Sequence, residues 1–160
     1  MKGAVKPIVE NRKAGFDYFI ESKLEAGMEL KGSEVKSCRE GKVQLVDAYA
    51  SIEGGELWLY KAHISEYKQG GPYFNHEPVR KRKLLIHRRE LIRLRDAIER
   101  QGYTLIPTRM YFKGGVAKVE IGVARGKTKG DKRHTAKLAE GVREVARARR
   151  RGNSSDAYDD

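Results

Sequence analysis

Residues 103–124 read Tyr-Thr-Leu-Ile-Pro-Thr-Arg-Met-Tyr-Phe-Lys-Gly-Gly-Val-Ala-Lys-Val-Glu-Ile-Gly-Val-Ala. Two apolar runs, Tyr103 to Phe112 and Ala117 to Ala124, flank Lys113-Gly114-Gly115-Val116. In the second run Val119, Ile121 and Val123 alternate with Lys118, Glu120 and Gly122. That period of two is the pattern of a strand with one dry and one wet face. Paired glycines between such runs predict a β-hairpin, because glycine takes the positive φ of a tight turn without steric cost. Pro107 has no amide to donate, so it fits an edge or a bulge.

Working outward, the same signal recurs. Leu45 to Glu53 and Glu56 to Tyr60 flank Gly54-Gly55, a second hairpin, with Leu57 and Leu59 on one face and Trp58 and Tyr60 on the other. Phe16 to Lys23 sets Phe16, Tyr18 and Ile20 against Asp17 and Glu21, as a half-buried strand does. One helix is predicted over His87 to Gln101, stopped by Gly102. Its Leu91, Leu94 and Ile98 form a core stripe, and Arg89, Arg93 and Arg100 lie opposite. Hairpins of short strands with a capping helix predict a mainly β fold: a small closed antiparallel barrel of the oligonucleotide-binding (OB) type with one to three short helices.

The chain has 160 residues and a formal net charge of +12. A basic excess of this size points to a polyanion, nucleic acid before membrane. The charge is unevenly placed. Residues 1–124 carry a net +7, residues 125–151 a net +8, and the last nine residues a net −3. We therefore read 1–15 as a flexible N-terminal segment, 16–124 as the barrel and 125–160 as a basic tail. The tail has only Leu138, Val142 and Val145 as an apolar stripe, interrupted by Gly141. It is expected to be disordered alone and partly helical against a polyanion. Between Arg80 and Arg95 lie eight basic residues, including the run Arg80-Lys81-Arg82-Lys83.

Other chemistries find little support. A lone cysteine, Cys38, excludes an intramolecular disulfide and a multi-cysteine zinc site. No apolar run approaches the ~20 residues of a membrane span, and Met1 to Gly15 lack the apolar segment of a secretory leader. A soluble, cytoplasmic protein is expected. His63, His76, His87 and His134 form no helical ligand pair, and neither a phosphate loop nor a nucleophile elbow is present. Glu25, Glu34 and Asp47 would have to meet in space to hold Mg²⁺ for phosphodiester cleavage, and their spacing gives no reason for it. We expect a binder without catalytic residues, metal or cofactor.

Four blocks carry a more specific signal. They are Leu24-Glu25-Ala26-Gly27-Met28-Glu29-Leu30 with Gly32-Ser33-Glu34-Val35-Lys36-Ser37, then Arg82-Lys83-Leu84-Leu85-Ile86-His87, then Tyr111-Phe112-Lys113, and last Ile121-Gly122-Val123-Ala124-Arg125-Gly126-Lys127 followed by Asp131-Lys132-Arg133. In order and spacing they resemble the SmpB (SsrA-binding protein) family of trans-translation, from about Asn11 to Arg133. The resemblance implies a bacterial RNA-binding adaptor with an OB-type barrel. Such a barrel binds the tRNA-like domain of transfer-messenger RNA (tmRNA, or SsrA RNA). The alanylated complex, carried by elongation factor Tu, enters stalled ribosomes. The basic tail passes the decoding centre of the small-subunit rRNA into the empty mRNA channel. The nascent chain is tagged and the ribosome rescued.

By the same resemblance Glu25, Leu85 and His87 match residues of the tmRNA surface, and Glu34 and Lys36 belong to the strongest block beside it. To these we add Arg80, Arg82 and Lys83, from the basic run. Lys127, Asp131, Lys132 and Arg133 match the ribosome-facing motif of the tail, joined by Lys129, Lys137 and Arg143 as phosphate partners. Gly130 departs from the family, whose members often carry an aromatic residue or histidine there. Tyr18, Trp58 and Tyr60 are aromatic enough to stack bases, but aromatic residues of small barrels are more often core. No heptad seam argues for an oligomer, so a monomer is expected. Two alternatives remain: a generic basic OB-type ribosomal or RNA-chaperone protein, which would bind many RNAs alike, and a metal-dependent RNase, which would show turnover.

Overall fold

A computed structural model of the chain describes residues 4–127 and Arg133. In chain order the elements are β1 (Val5–Glu10), α1 (Arg12–Asp17), β2 (Tyr18–Met28), α2 (Gly32–Arg39), β3 (Val43–Gln44), β4 (Tyr49–Glu53), β5 (Glu56–Tyr60), β6 (His63–Ile64), a 3₁₀ turn (Lys68–Gly70), α3 (Gly71–Phe74), β7 (Arg82–Leu85), α4 (Arg88–Gln101), β8 (Thr104–Lys113) and β9 (Val116–Gly126). The chain divides at Gly126. Of the part beyond it, only Lys127 and Arg133 are described, and the expected tail helix lies outside the described residues. Among the described residues no helix is long and apolar enough to cross a membrane.

Seven strands run in the order β1-β8-β4-β5-β7-β2-β9, and β9 also pairs with β8. That last pairing closes a ring of β8, β4, β5, β7, β2 and β9, with β1 laid on the outside edge of β8. This is the expected mainly β barrel with a few short helices. Its interior is filled by Leu57, Leu59, Leu84, Leu105, Met110, Val119 and Ile121 among others, all essentially without solvent contact. The helix α4 caps it through Leu94, with Leu91 and Ile98 beside it. Gly102 ends that helix in the left-handed conformation at φ 69°, where a Cβ would clash with the following backbone.

The β8–β9 hairpin turns at Gly114 and Gly115, φ 58° and 79°, the two positive angles a tight hairpin turn requires. Its register shifts between Pro107 and Arg109, so Pro107 sits at a bulge, as its missing donor demands. The bulge divides β8. Leu105 pairs with Ala50 of β4, whereas Arg109 to Lys113 pair with β1. Asn11 fills the fork: its backbone N–H donates to Thr108 O at 2.8 Å, and its Nδ2 donates to Pro107 O at 3.0 Å and Leu45 O at 3.2 Å.

From Val5 onward the N-terminal segment is therefore part of the fold, in place of the flexible segment expected over 1–15. Half of β8 would otherwise expose an unpaired edge, which β1 covers. The expected strand from Phe16 begins at Tyr18 instead and extends to Met28, because α1 takes up Phe16. A bulge between Ile20 and Ser22 resets its alternation. The strand expected from Leu45 starts only at Tyr49, since Ala48 N–H turns back to Leu45 O. The barrel end expected at Ala124 comes at Gly126.

Candidate nucleic-acid interface

Strand pairing places four residues in a row across the outside of the barrel. Leu85 on β7 is opposite Gly27 on β2, Gly27 is opposite Lys118 on β9, and Lys118 is opposite Tyr111 on β8. Alternation aims Leu85 and Lys118 outward, since their neighbours Leu84 and Val119 are buried, whereas Gly27 and Tyr111 are themselves buried within the row, Tyr111 at 5% exposure. Gly27 keeps the middle of the row low. A Cβ there would meet Leu85 Cβ at 3.4 Å and lie 3.7 Å from Lys118 Nζ. Leu85 is 48% exposed.

Glu25 lies two residues along β2 from Gly27, on the same face. The Tyr111 hydroxyl donates to its carboxylate, and Lys113 Nζ approaches the same oxygen at 3.4 Å. The hydrogen bond from Tyr111 is the main reason the Glu25 carboxyl titrates below its usual range, and the charges of Lys113 and Lys118 add to it. Burial and the Glu25 charge together push the Tyr111 hydroxyl up to about 12. Glu25 is thus an exposed, ionised acceptor held in one orientation, bordered by two lysines and an apolar leucine. Such a set can accept base amino or sugar hydroxyl donors, screen phosphates and cover an unstacked base. Arg109 stacks over the Tyr111 ring at 4.9 Å and pairs with Glu120, which Lys23 also reaches at 3.7 Å.

The remaining sequence-predicted residues divide. His87 is exposed and caps α4, its backbone N–H donating to Glu90 at 3.2 Å. Lys36 is exposed, with its Nζ 5.3 Å from the ring centres of both Tyr67 and Phe74. Lys83 points outward beside Glu56 at 3.0 Å. Glu34 and Arg82, by contrast, are fully buried. Arg82 alternates inward on β7 between Lys81 and Lys83. Its Nε donates to Glu34 at 2.5 Å, its Nη1 to Ala62 O at 2.6 Å and its Nη2 to Pro78 O at 2.9 Å. Arg80, partly exposed, donates to the same carboxylate from Nε at 3.2 Å and also through Nη2. The basic run is therefore not one surface. Glu34 and Arg82 brace the structure behind it, and neither presents its charge to a ligand.

That brace also accounts for the Gly32–Ser37 block. Glu34 accepts the Lys31 backbone N–H at 2.8 Å, capping α2. Ser33 Oγ bonds His76 Nδ1 at 2.8 Å, His76 Nε2 reaches Ile64 O at 2.8 Å, and Ser37 Oγ donates to Ser65 O at 2.6 Å. The polar side chains of α2 are its anchors. Glu34 is thereby committed to arginines, and among the described residues no three His, Cys, Asp or Glu side chains are grouped to hold a metal.

Of the expected tail residues, Lys127 and Arg133 are described, Arg133 as exposed. Lys129, Asp131, Lys132, Lys137 and Arg143, and with them Gly130, lie outside the described residues. Sequence reasoning quoted Tyr111 and Lys113 within a motif without giving them a role, and it did not single out Lys118 for the site. The outward parity of Lys118 on β9 was the available signal.

Comparison with known proteins identifies the family. The family model described as SmpB protein matches residues 8–151. The SsrA-binding protein of Desulfitobacterium hafniense (strain DSM 10664 / DCB-2) is 54% identical over 143 residues, which is 89% of this chain and 91% of that protein. The SsrA-binding protein of Roseiflexus castenholzii is 54% identical over 146 residues, 91% of this chain and 92% of that protein. The SsrA-binding protein of Geobacillus thermodenitrificans is 53% identical over 147 residues, covering 92% and 94%. A solved chain from "tmRNA-SmpB: a journey to the center of the bacterial ribosome" superposes with a TM-score of 0.65 at 46% identity, covering 81% of this chain and 94% of the solved one. With a family model spanning most of its length and relatives matched almost end to end at more than half identity, the chain belongs to the SmpB family.

Proposed function

We propose that this protein is the RNA-binding adaptor of trans-translation. It binds the tRNA-like domain of tmRNA and delivers it to stalled ribosomes for rescue and nascent-chain tagging. The observation that carries the reading is the cross-strand row Leu85–Gly27–Lys118–Tyr111, in which the buried Tyr111 fixes the ionised Glu25 beside the accessible Leu85, Lys118 and Lys113. It offers an acceptor, two cations and an apolar contact to an RNA loop whose bases are unstacked. Relatives at about half identity that are named SsrA-binding proteins support the same partner.

The labour divides between the two parts of the chain. The barrel holds the RNA. The tail, residues 125–160, enters the empty mRNA channel, where Lys127, Lys129, Lys132, Arg133, Lys137 and Arg143 pair with rRNA phosphate and Asp131 caps a helix. Message and tail compete for one space, so the protein reports the absence of message. It works in the cytoplasm as a monomer, meets elongation factor Tu only through alanyl-tmRNA, and catalyses no reaction.

The test is a competition at physiological salt. The full chain is titrated with the tRNA-like domain in the presence of excess ordinary tRNA. Binding that survives the competitor supports the reading. Binding lost in proportion to the competitor would leave a basic barrel without specificity. A chain ending at Gly126 should then bind the tRNA-like domain normally and fail to support tagging on stalled ribosomes. Tagging by that truncated chain would sink the role given to the tail.

A further inference from the structure

Arg109 stands two residues before Tyr111 on β8, with the buried Met110 between them, so the two side chains share the outer face of the strand. The bulge after Pro107 sets that phase. The Arg109 guanidinium lies 4.9 Å from the centre of the Tyr111 ring. Its Nε donates to the carboxylate of Glu120, its cross-strand partner on β9. Across the β1–β8 ladder its partner is Glu10. Glu120 is itself opposite Glu25 of β2, and Lys23 reaches its second oxygen at 3.7 Å. Arg109 is thus fixed at two points, the ring and Glu120.

Half of the Arg109 side chain is exposed, which by itself would suit a phosphate ligand. Its surroundings argue for another role. The carboxylates of Glu120 and Glu10 act on it from both neighbouring strands, so its charge is already answered. Its flat face is occupied by Tyr111, the principal donor to Glu25. Tyr111 is only 5% exposed, and the guanidinium lying on the ring is part of that cover. Water admitted there would compete with Glu25 for the phenol proton. The charge matters as well. Burial and the charges of Glu25 and Glu120 hold the proton on the Tyr111 hydroxyl, and Arg109 pulls the other way. A phenol made more acidic donates a stronger hydrogen bond to a carboxylate.

We propose that Arg109 is a positioning residue of the RNA site: anchored by Glu120, it lies on the Tyr111 ring, shields the phenol from water and strengthens the hydrogen bond that fixes Glu25, without taking a phosphate itself. The inference deepens the function proposed above and rests on it for the ligand. The geometry it describes exists without RNA. Lys23 stays beside Glu120 when Arg109 is replaced, so that carboxylate keeps a cation in the variants.

The test uses the full-length protein and the tRNA-like domain. Arg109→Met should bind roughly 2- to 5-fold more weakly than the parent. Arg109→Lys, which keeps a cation within reach of the ring, should recover part of that loss. In a Tyr111→Phe background, Arg109→Met should cost nothing further, because the hydroxyl it acts through is gone. The salt dependence of Arg109→Met should match the parent, whereas loss of a phosphate contact would flatten the slope of log K against log salt by roughly 0.7–0.9. A second readout needs no RNA. In ¹³C NMR of protein labelled at its glutamate carboxyls, with Glu25→Gln identifying the resonance, Glu25 should titrate closer to the ordinary carboxylate range in Arg109→Met than in the parent. Equal losses in the parent and Tyr111→Phe backgrounds, a flattened salt slope, no recovery in Arg109→Lys, or an unmoved Glu25 titration would each overturn the inference. If the parent fails the competition against tRNA, the proposed function falls, and the Glu25 titration still decides whether Arg109 sets that carboxylate.

Discussion

Arg82 and Glu34 meet at 2.5 Å inside the protein, one from β7 and the other from α2, and neither side chain touches solvent. Each nitrogen of the guanidinium donates to an acceptor, with Ala62 and Pro78 completing the set. A buried pair of this kind is strongly felt when one partner is lost, because the other stays behind as an uncompensated charge. Arg82→Met and Glu34→Gln should each lower the unfolding free energy by about 3–5 kcal/mol, read by denaturant titration. Lys83→Glu, one residue along, should leave stability nearly unchanged and weaken RNA binding. Equal unfolding midpoints for Arg82→Met and the parent would contradict the brace.

The same pair sets an acid limit. Burial raises the Glu34 pKa, but the hydrogen bonds from Arg80 and Lys31 and the charge of Arg82 outweigh it, and the net shift is downward from 4.5. A carboxyl lowered in the folded state contributes stability that is present above its unfolded pKa and lost as pH falls through the folded one. The parent should therefore lose stability progressively below about pH 4.5. Glu34→Gln should show a shallower loss over that range. Parallel curves would assign the acid sensitivity to other carboxyls.

Removing the Tyr111 hydroxyl is the cleanest test of the candidate interface. Tyr111→Phe keeps the ring under Arg109 and frees Glu25 from its principal donor. Affinity for the tRNA-like domain should fall about tenfold, with the unfolding midpoint shifted only slightly. Glu25→Gln should fall by at least as much. If both variants bind as the parent does, the acceptor role of Glu25 is wrong.

Strand β9 passes very close to its neighbours at Gly122. A Cβ there would stand 3.1 Å from Ile20 Cγ2 and 3.2 Å from Thr108 Cγ2. Both contacts are made by branched side chains at bulges, with little freedom to retreat. Gly122→Ala should destabilise by about 1–3 kcal/mol, seen as a lower melting temperature. A neutral result would mean the two bulges yield.

Cys38 offers a probe of opening. It is 2% exposed, and burial pushes its thiol up to about 12. Alkylation near neutral pH should be slow in the folded protein and should accelerate in the Glu34→Gln variant in proportion to its opened fraction. Fast alkylation of the parent would show α2 detaching on its own.

The hairpins and α4 were legible because each signals locally: alternating side chains, paired glycines, an apolar stripe ending at Gly102. What escaped was long-range or polar. β1 has no clean alternation, since Pro7 and a register shift interrupt it, and its reason for existing is an edge of β8 about a hundred residues away. α2 hides from a hydrophobic reading because it docks through Ser33, Glu34 and Ser37. Arg82 hides because charged residues are almost never fully buried unless paired, and its partner is remote in sequence. At the interface, Glu25 and Leu85 came from family resemblance. The part played by Tyr111 needed the registry of β8 against β2 through β9, which composition does not encode.

The closure of the barrel has a mechanical consequence. β9 is held over nine residues by β2 on one side and over nine by β8 on the other, and the chain leaves the barrel from its end at Gly126. Tension on the following segment, directed along β9, would load both ladders in shear, so their hydrogen bonds would have to fail together instead of one after another. A tail drawn into a channel while the barrel is held by RNA would thus be anchored at the most strongly clamped strand of the fold.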